Sequence, residues 1–175
     1  MSTGSEQVDT TGIEYPELAD VSHAVPSKER VARMIEVNME YALCYMNGDF
    51  EGMMDSLVEV PEFEMHPPSI RFVGREAVLE RSRRMHALAS QNDLRTTKSH
   101  RITAVTADND TLIHEFSNIY TLSDGTTRRC YTVAVIPFVG DKMVGERIYS
   151  DQYLGRMREE LLGPDFLARP DVTIL

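Results

Sequence analysis

The sequence predicts an α+β fold, and three observations carry that reading. Apolar residues recur at helical spacing through most of residues 27–90. From 94 to 150 the texture changes to period two, broken at Asp108-Asn109, Asp124-Gly125 and Gly140-Asp141. These turn dipeptides stand where hairpins need them. One more helical stretch follows. Helices first and a strand meander second is an α+β order, with an antiparallel sheet burying one face under the helices.

Taken along the chain, 1–26 lack periodicity and read as a flexible tail, despite Ile13, Tyr15 and Leu18. Ser27 suits an N-cap. A helix to residue 47 then places Val31, Met34, Ile35, Asn38, Ala42 and Tyr45 at helical spacing, and Asn47-Gly48 stops it. Asp49 caps a short helix through residue 57. A strand at 62–66 ends at Pro67-Pro68, which cannot continue a ladder. Gly74 opens a third helix, 75–90, with Val78, Met85 and Leu88 as its buried stripe and Glu80, Arg81, Arg83 and Arg84 on its wet side. Strands are expected over 94–107, 111–122, 126–139 and 142–150. A last helix covers 152–162, capped by Asp151 and stopped at Gly163-Pro164. The organisation is therefore a tail at 1–26, one domain at 27–162 and a second tail at 163–175.

Composition narrows the function. The chain has 175 residues, 42% of them hydrophobic, which suits one domain with a full core. A net charge of -10 argues against nucleic acid and against anionic membrane surfaces, because no basic stripe is available to meet phosphates. Half of that charge lies in residues 1–26, which hold five acidic residues and no Lys or Arg. Two cysteines, Cys44 and Cys130, lack CxxC spacing and read as reduced core residues. The start of the chain has no basic and apolar leader pattern, and no run reaches membrane-spanning length. The expected location is cytoplasmic.

Several motifs in order, GDFEG at 48–52, HPP at 66–68, GREAV at 74–78 and GDKMVGERIYSD at 140–151, resemble the nuclear transport factor 2-like superfamily, and within it the SnoaL-like branch. The resemblance covers 27–162. It implies a cystatin-like, ketosteroid-isomerase-like cone: a curved antiparallel sheet wrapped around helices, with a deep pocket. It also implies a homodimer, and activities that include isomerisation, polyketide cyclisation and epoxide hydrolysis without a cofactor. Tyr41 stands where steroid isomerases of this fold place an oxyanion donor. His66, before Pro67, stands where they place a general base. Val135 falls at their second donor, and Ile148 where cyclases and epoxide hydrolases carry Asp. Phe116 and Asn118 occupy the Arg-x-Asp places of the epoxide hydrolases.

The expected catalytic set is His66, Tyr41 and Glu64. A neutral imidazole works as a base near neutral pH, a neighbouring carboxylate orients it, and a phenol meets a developing oxyanion. Strand alternation puts Glu64 and His66 on one face, read as a pocket wall. The expected ligand-binding residues are His114, Phe116, Asn118, Tyr131, Val135, Glu146 and Ile148. The structural alternatives are a histidine tied to a turn, a solvated glutamate, a core tyrosine and satisfied polar core groups. Without HxxxH or HxH spacing, no metal is expected. Ten methionines point to an adaptable core or cavity. The expected activity is isomerisation or cyclisation of a small apolar carbonyl compound such as a polyketide, steroid or terpenoid. The alternative is a non-catalytic binding or assembly module of the same fold.

Overall fold

The computed structural model describes residues 26–90, 96–106, 110–121 and 125–175. The expected N-terminal tail, apart from residue 26, lies outside them. Helix α1 (Lys28–Asn47) starts at Ser27, whose hydroxyl accepts from the Arg30 N–H, and ends at Gly48 in the left-handed region. Helix α2 (Phe50–Asp55) is capped by Asp49. Strand β1 (Leu57–His66) and strand β2 (Ile70–Val73) form a hairpin around the prolines. Helix α3 (Arg75–Ser90) follows. The meander is β3 (Lys98–Thr106), β4 (Asp110–Thr121), β5 (Thr127–Val139) and β6 (Lys142–Ser150). Helix α4 (Gln152–Leu167) and strand β7 (Val172–Ile174) close the chain.

One curved seven-stranded sheet runs in the order β3-β4-β5-β6-β1-β2-β7. It is mixed rather than wholly antiparallel, because β1 pairs with β6 in parallel, with Phe63 opposite Glu146 and Met65 opposite Ile148. A parallel pair needs a long crossover, and α3 with the meander provides one. The helices cover the inner face. The core is rich in phenylalanine and methionine, with Phe63, Phe72, Phe138, Phe166, Met34, Met53 and Met65 fully buried.

Four expectations change here. Strand β1 begins at Leu57, five residues earlier than expected, and α2 is correspondingly shorter. Residues 70–73, left between the proline turn and the Gly74 helix start, form β2, because Ile70 and Phe72 alternate into the core. The expected stop of α4 at Gly163-Pro164 is a break and not an end: Gly163 leaves helical geometry at φ 72°, Pro164 starts a new turn, and Phe166 plugs the core. The expected second tail therefore contributes helix, and β7 lies on the edge of β2.

One glycine shapes the site. Between Val135 and Phe138 of β5, strand β6 inserts an extra residue, a bulge that brings Met143 and Glu146 to the same face. Gly145 sits in that bulge at φ 152°, where a Cβ would meet the Glu62 carbonyl oxygen at 1.7 Å. Only glycine fits there.

Candidate functional site

A cavity of about 500 Å³ opens between α1, α3, α4 and the inner face of β4, β5 and β6. Its mouth is apolar, with Met39 and Leu43 partly in solvent. Its inner end is polar and buried. Helix α1 contributes Tyr41, α3 contributes Arg81, α4 contributes Arg158, and the sheet contributes Asn118, Tyr120 and Glu146.

The two arginines are out of solvent, with 5% of Arg81 and 7% of Arg158 exposed. Arg158 donates from Nη1 to the Ser150 hydroxyl at 2.8 Å, while its Nε is buried without a partner. The Arg81 guanidinium lies 5.5 Å from the Tyr45 ring centre and 5.9 Å from that of Phe63, a cation–π arrangement. Its Nε also lacks a partner. Burial, and then the nearby Arg81, pushes the Arg158 guanidinium down to about 10.

Glu146 is deep, and the surface it retains faces the cavity. No hydrogen bond or ion pair joins its carboxyl to another described side chain. Desolvation raises it above the ordinary carboxylate value, against the pull of Arg81 and then Arg158. Tyr41 packs on Phe63 with ring centres 6.4 Å apart. Its hydroxyl is raised by burial and then by the charge of Glu146. Arg81 acts on that hydroxyl electrostatically, but their geometry falls short of a hydrogen bond, and the hydroxyl remains a buried orphan. Asn118 donates to the Tyr120 hydroxyl at 3.3 Å, leaving its Oδ1 unpaired. Nearer the mouth, His114 Nε2 lies 3.1 Å from the Ser99 hydroxyl, and desolvation lowers its pKa.

The cavity thus gathers Tyr41, His114, Phe116, Asn118, Glu146 and Ile148 from the expected set. It does not include Glu64, His66, Tyr131 or Val135. In β1, Phe63 and Met65 take the inner face, so Glu64 and His66 point outward, where His66 stacks on Tyr149 at 5.0 Å. The His66 ring and the Tyr41 hydroxyl therefore do not line one cavity, as a shared substrate would require of the expected catalytic set. In β5, Thr132, Ala134 and Ile136 face inward opposite Phe116, His114 and Leu112. Tyr131 and Val135 fall on the outer face, and Tyr131 is 56% exposed. That strand is apolar on both faces, so period two alone could not tell its sides apart.

Sequence reasoning missed both arginines. Arg81 was read as wet, yet Val78, Arg81, Met85 and Leu88 follow one helical stripe. Leu154, Arg158 and Leu162 do the same on α4. An arginine inside an apolar stripe was the available signal. Among the described residues no group of three or more His, Cys, Asp or Glu side chains is arranged to hold a metal. No described helix is long and apolar enough to cross a membrane.

No family profile and no curated protein matches this chain. Solved structures do. An NTF2-like protein of unknown function from Cytophaga hutchinsonii matches with a TM-score of 0.52 and 14% identity, over 67% of this chain and 99% of that one. A putative isomerase from Bacillus subtilis matches with a TM-score of 0.54 and 20% identity, over 71% and 90%. SalBIII, described as an epoxide hydrolase/cyclase-like enzyme in pyran ring formation in the polyether salinomycin, matches with a TM-score of 0.57 and 13% identity, over 83% and 98%. The chain has the nuclear transport factor 2-like fold. Identities this low establish the fold and no activity.

Proposed function

We propose that this chain is a cofactor-independent acid–base enzyme that moves a proton on a small apolar carbonyl compound held in the cone. The carrying observation is the pairing of Glu146 with Tyr41. One is a carboxyl without a described hydrogen-bond partner on the cavity wall, the other a buried phenol without one, and both line the same cavity, with the charge of Glu146 near enough to raise the Tyr41 hydroxyl. Glu146 takes the role expected of His66.

In this scheme the ionised Glu146 removes a proton from the carbon beside the substrate carbonyl. The C–H electron pair moves into a new carbon–carbon double bond, and the carbonyl π pair moves onto oxygen. Tyr41 donates to that oxyanion, and Arg81 supports it electrostatically. Where the substrate also carries a β,γ carbon–carbon double bond the product is a dienolate, and the proton held by Glu146 returns to its γ-carbon, which is an isomerisation. Alternatively, the enolate closes a ring on a second carbonyl carbon, which is a cyclisation, and the proton goes to the new alkoxide. Raising the pKa of Glu146 makes its ionised form a stronger base.

The alternative, a binding module without chemistry, is favoured by the two buried arginines on the cavity lining, which can hold a ligand without reacting. Deuterium uptake at the α-carbon of butyrophenone in heavy water separates the two. Uptake by the wild type that is lost in Glu146→Gln supports the enzyme. No uptake above buffer leaves the binding module.

The homodimer implied by the resemblance would use the outer sheet face, where Tyr131, Val139 and Tyr149 are exposed. Sedimentation of the full chain and of Tyr131→Glu tests it, a monomeric wild type being the contrary result. A cytoplasmic site of action completes the proposal, and fractionation of expressing cells checks it.

A further inference from the structure

The charged side chains lining the cavity are Arg81, Arg158 and Glu146. Two guanidinium groups against one carboxylate leave a single positive charge in a buried site. The Arg81 guanidinium interacts with the Tyr41 hydroxyl short of full hydrogen-bond geometry, and no other described residue accepts a hydrogen bond from it. Arg158 has one, to Ser150. Both Nε atoms are buried orphans. Buried arginines are ordinarily satisfied by acceptors, because an unpaired charge withdrawn from water is destabilising. The orphaned Nε atoms are themselves sealed off, so a ligand would meet these arginines through their terminal nitrogens, in a cavity that both side chains line and that has room for a molecule.

We propose that the inner end of this cavity binds the carboxylate of an apolar keto acid. A carboxylate carries one negative charge, which balances the single excess positive charge. Its two oxygens match the planar donor fork of a guanidinium. With the carboxylate between Arg81 and Arg158, the carbonyl falls beside Tyr41 and Glu146. The apolar body then lies along Met85 and Leu88 toward the mouth. The anion site stands on the arginines, and only the placing of the carbonyl rests on the proton-transfer reading.

Calorimetric titration of the full chain with benzoylpropionate, its methyl ester and its phosphonate analogue tests the proposal. The acid is expected to bind about tenfold or more tighter than the ester. Arg81→Met and Arg158→Met should each weaken the acid about tenfold and leave the ester unchanged. Glu146→Gln should bind the acid at least as tightly as wild type, since it removes a negative neighbour. Equal affinity for acid and ester, no saturable binding of the acid, or tighter binding of the phosphonate dianion would each overturn the carboxylate site. If a methionine variant does not fold, the wild-type comparison of acid with ester decides alone. Loss of acid preference with deuterium uptake intact defeats only this proposal. Acid preference without deuterium uptake defeats only the enzymatic one.

Discussion

Strands β1 and β6 lie side by side and carry ionisable groups on both faces. On the outer face are Glu64 and His66, opposite Arg147 and Tyr149. On the inner face Glu146 stands opposite Phe63. The outer pair resembles a catalytic dyad, with His66 Nε2 3.5 Å from a Glu64 carboxyl oxygen and about a quarter of each side chain in solvent. Water competes for that contact and weakens it. The inner carboxylate meets solvent only through the cavity, beside two buried arginines and an unpaired phenol. The groups are similar and the backbones adjacent. Hydration and partners make one cluster a surface feature and the other a candidate reaction centre.

The largest expected effect falls on the inner side. Glu146→Gln should lower α-proton exchange about a thousandfold, the scale of a lost general base. The wild-type rate should rise with pH as Glu146 ionises. Its inflection should lie above the ordinary carboxylate value, because burial raises the group, and it should vanish in the variant. A pH–rate profile of both proteins checks this. Next, Gly145→Ala should collapse the arrangement that separates the two faces. Its Cβ would overlap the Glu62 carbonyl, and a loss of about 3 kcal/mol in urea unfolding is expected. A fully stable variant would show that the bulge tolerates a side chain.

Tyr41→Phe should lower exchange about a hundredfold by removing the oxyanion donor. It should also raise stability by about 1 kcal/mol, since the buried hydroxyl has no partner. Thermal melts and exchange rates together give the signature, slower but more stable. A tyrosine held by an unseen structural bond would be destabilised instead. The smallest effect is expected outside. His66→Ala should change stability by no more than about 1 kcal/mol and leave exchange untouched.

These contrasts also mark how far the sequence carried the account. Caps at Ser27, Asp49 and Asp151, the Gly48 stop and the period-two meander are local signals, and each appears in the structure. The parallel β1–β6 pairing depends on a distant partner, so no local pattern announces it, while β2 is four residues long and its two core positions, Ile70 and Phe72, are too few to mark a strand. The β4 face from Leu112 to Tyr120 was legible because the rings of the strand, His114, Phe116 and Tyr120, all stand on it. In β5 both sides are apolar, and the choice of Tyr131 and Val135 had no local support. In β1 the pattern was informative: Phe63 and Met65 claim the core, which forces Glu64 and His66 outward. The position of His66 before Pro67 outweighed that alternation. The arginines went unread because charge was taken as a sign of solvent, although their spacing placed them in buried stripes.

The most direct test is proton exchange on one compound by three proteins. Deuterium incorporation from heavy water at the α-methylene of benzoylpropionate is followed by NMR for wild type, Glu146→Gln and His66→Ala. Equal exchange by wild type and His66→Ala is expected, with exchange by Glu146→Gln reduced to the buffer rate. Exchange that survives in Glu146→Gln and disappears in His66→Ala would contradict it, moving the chemistry back to the outer face.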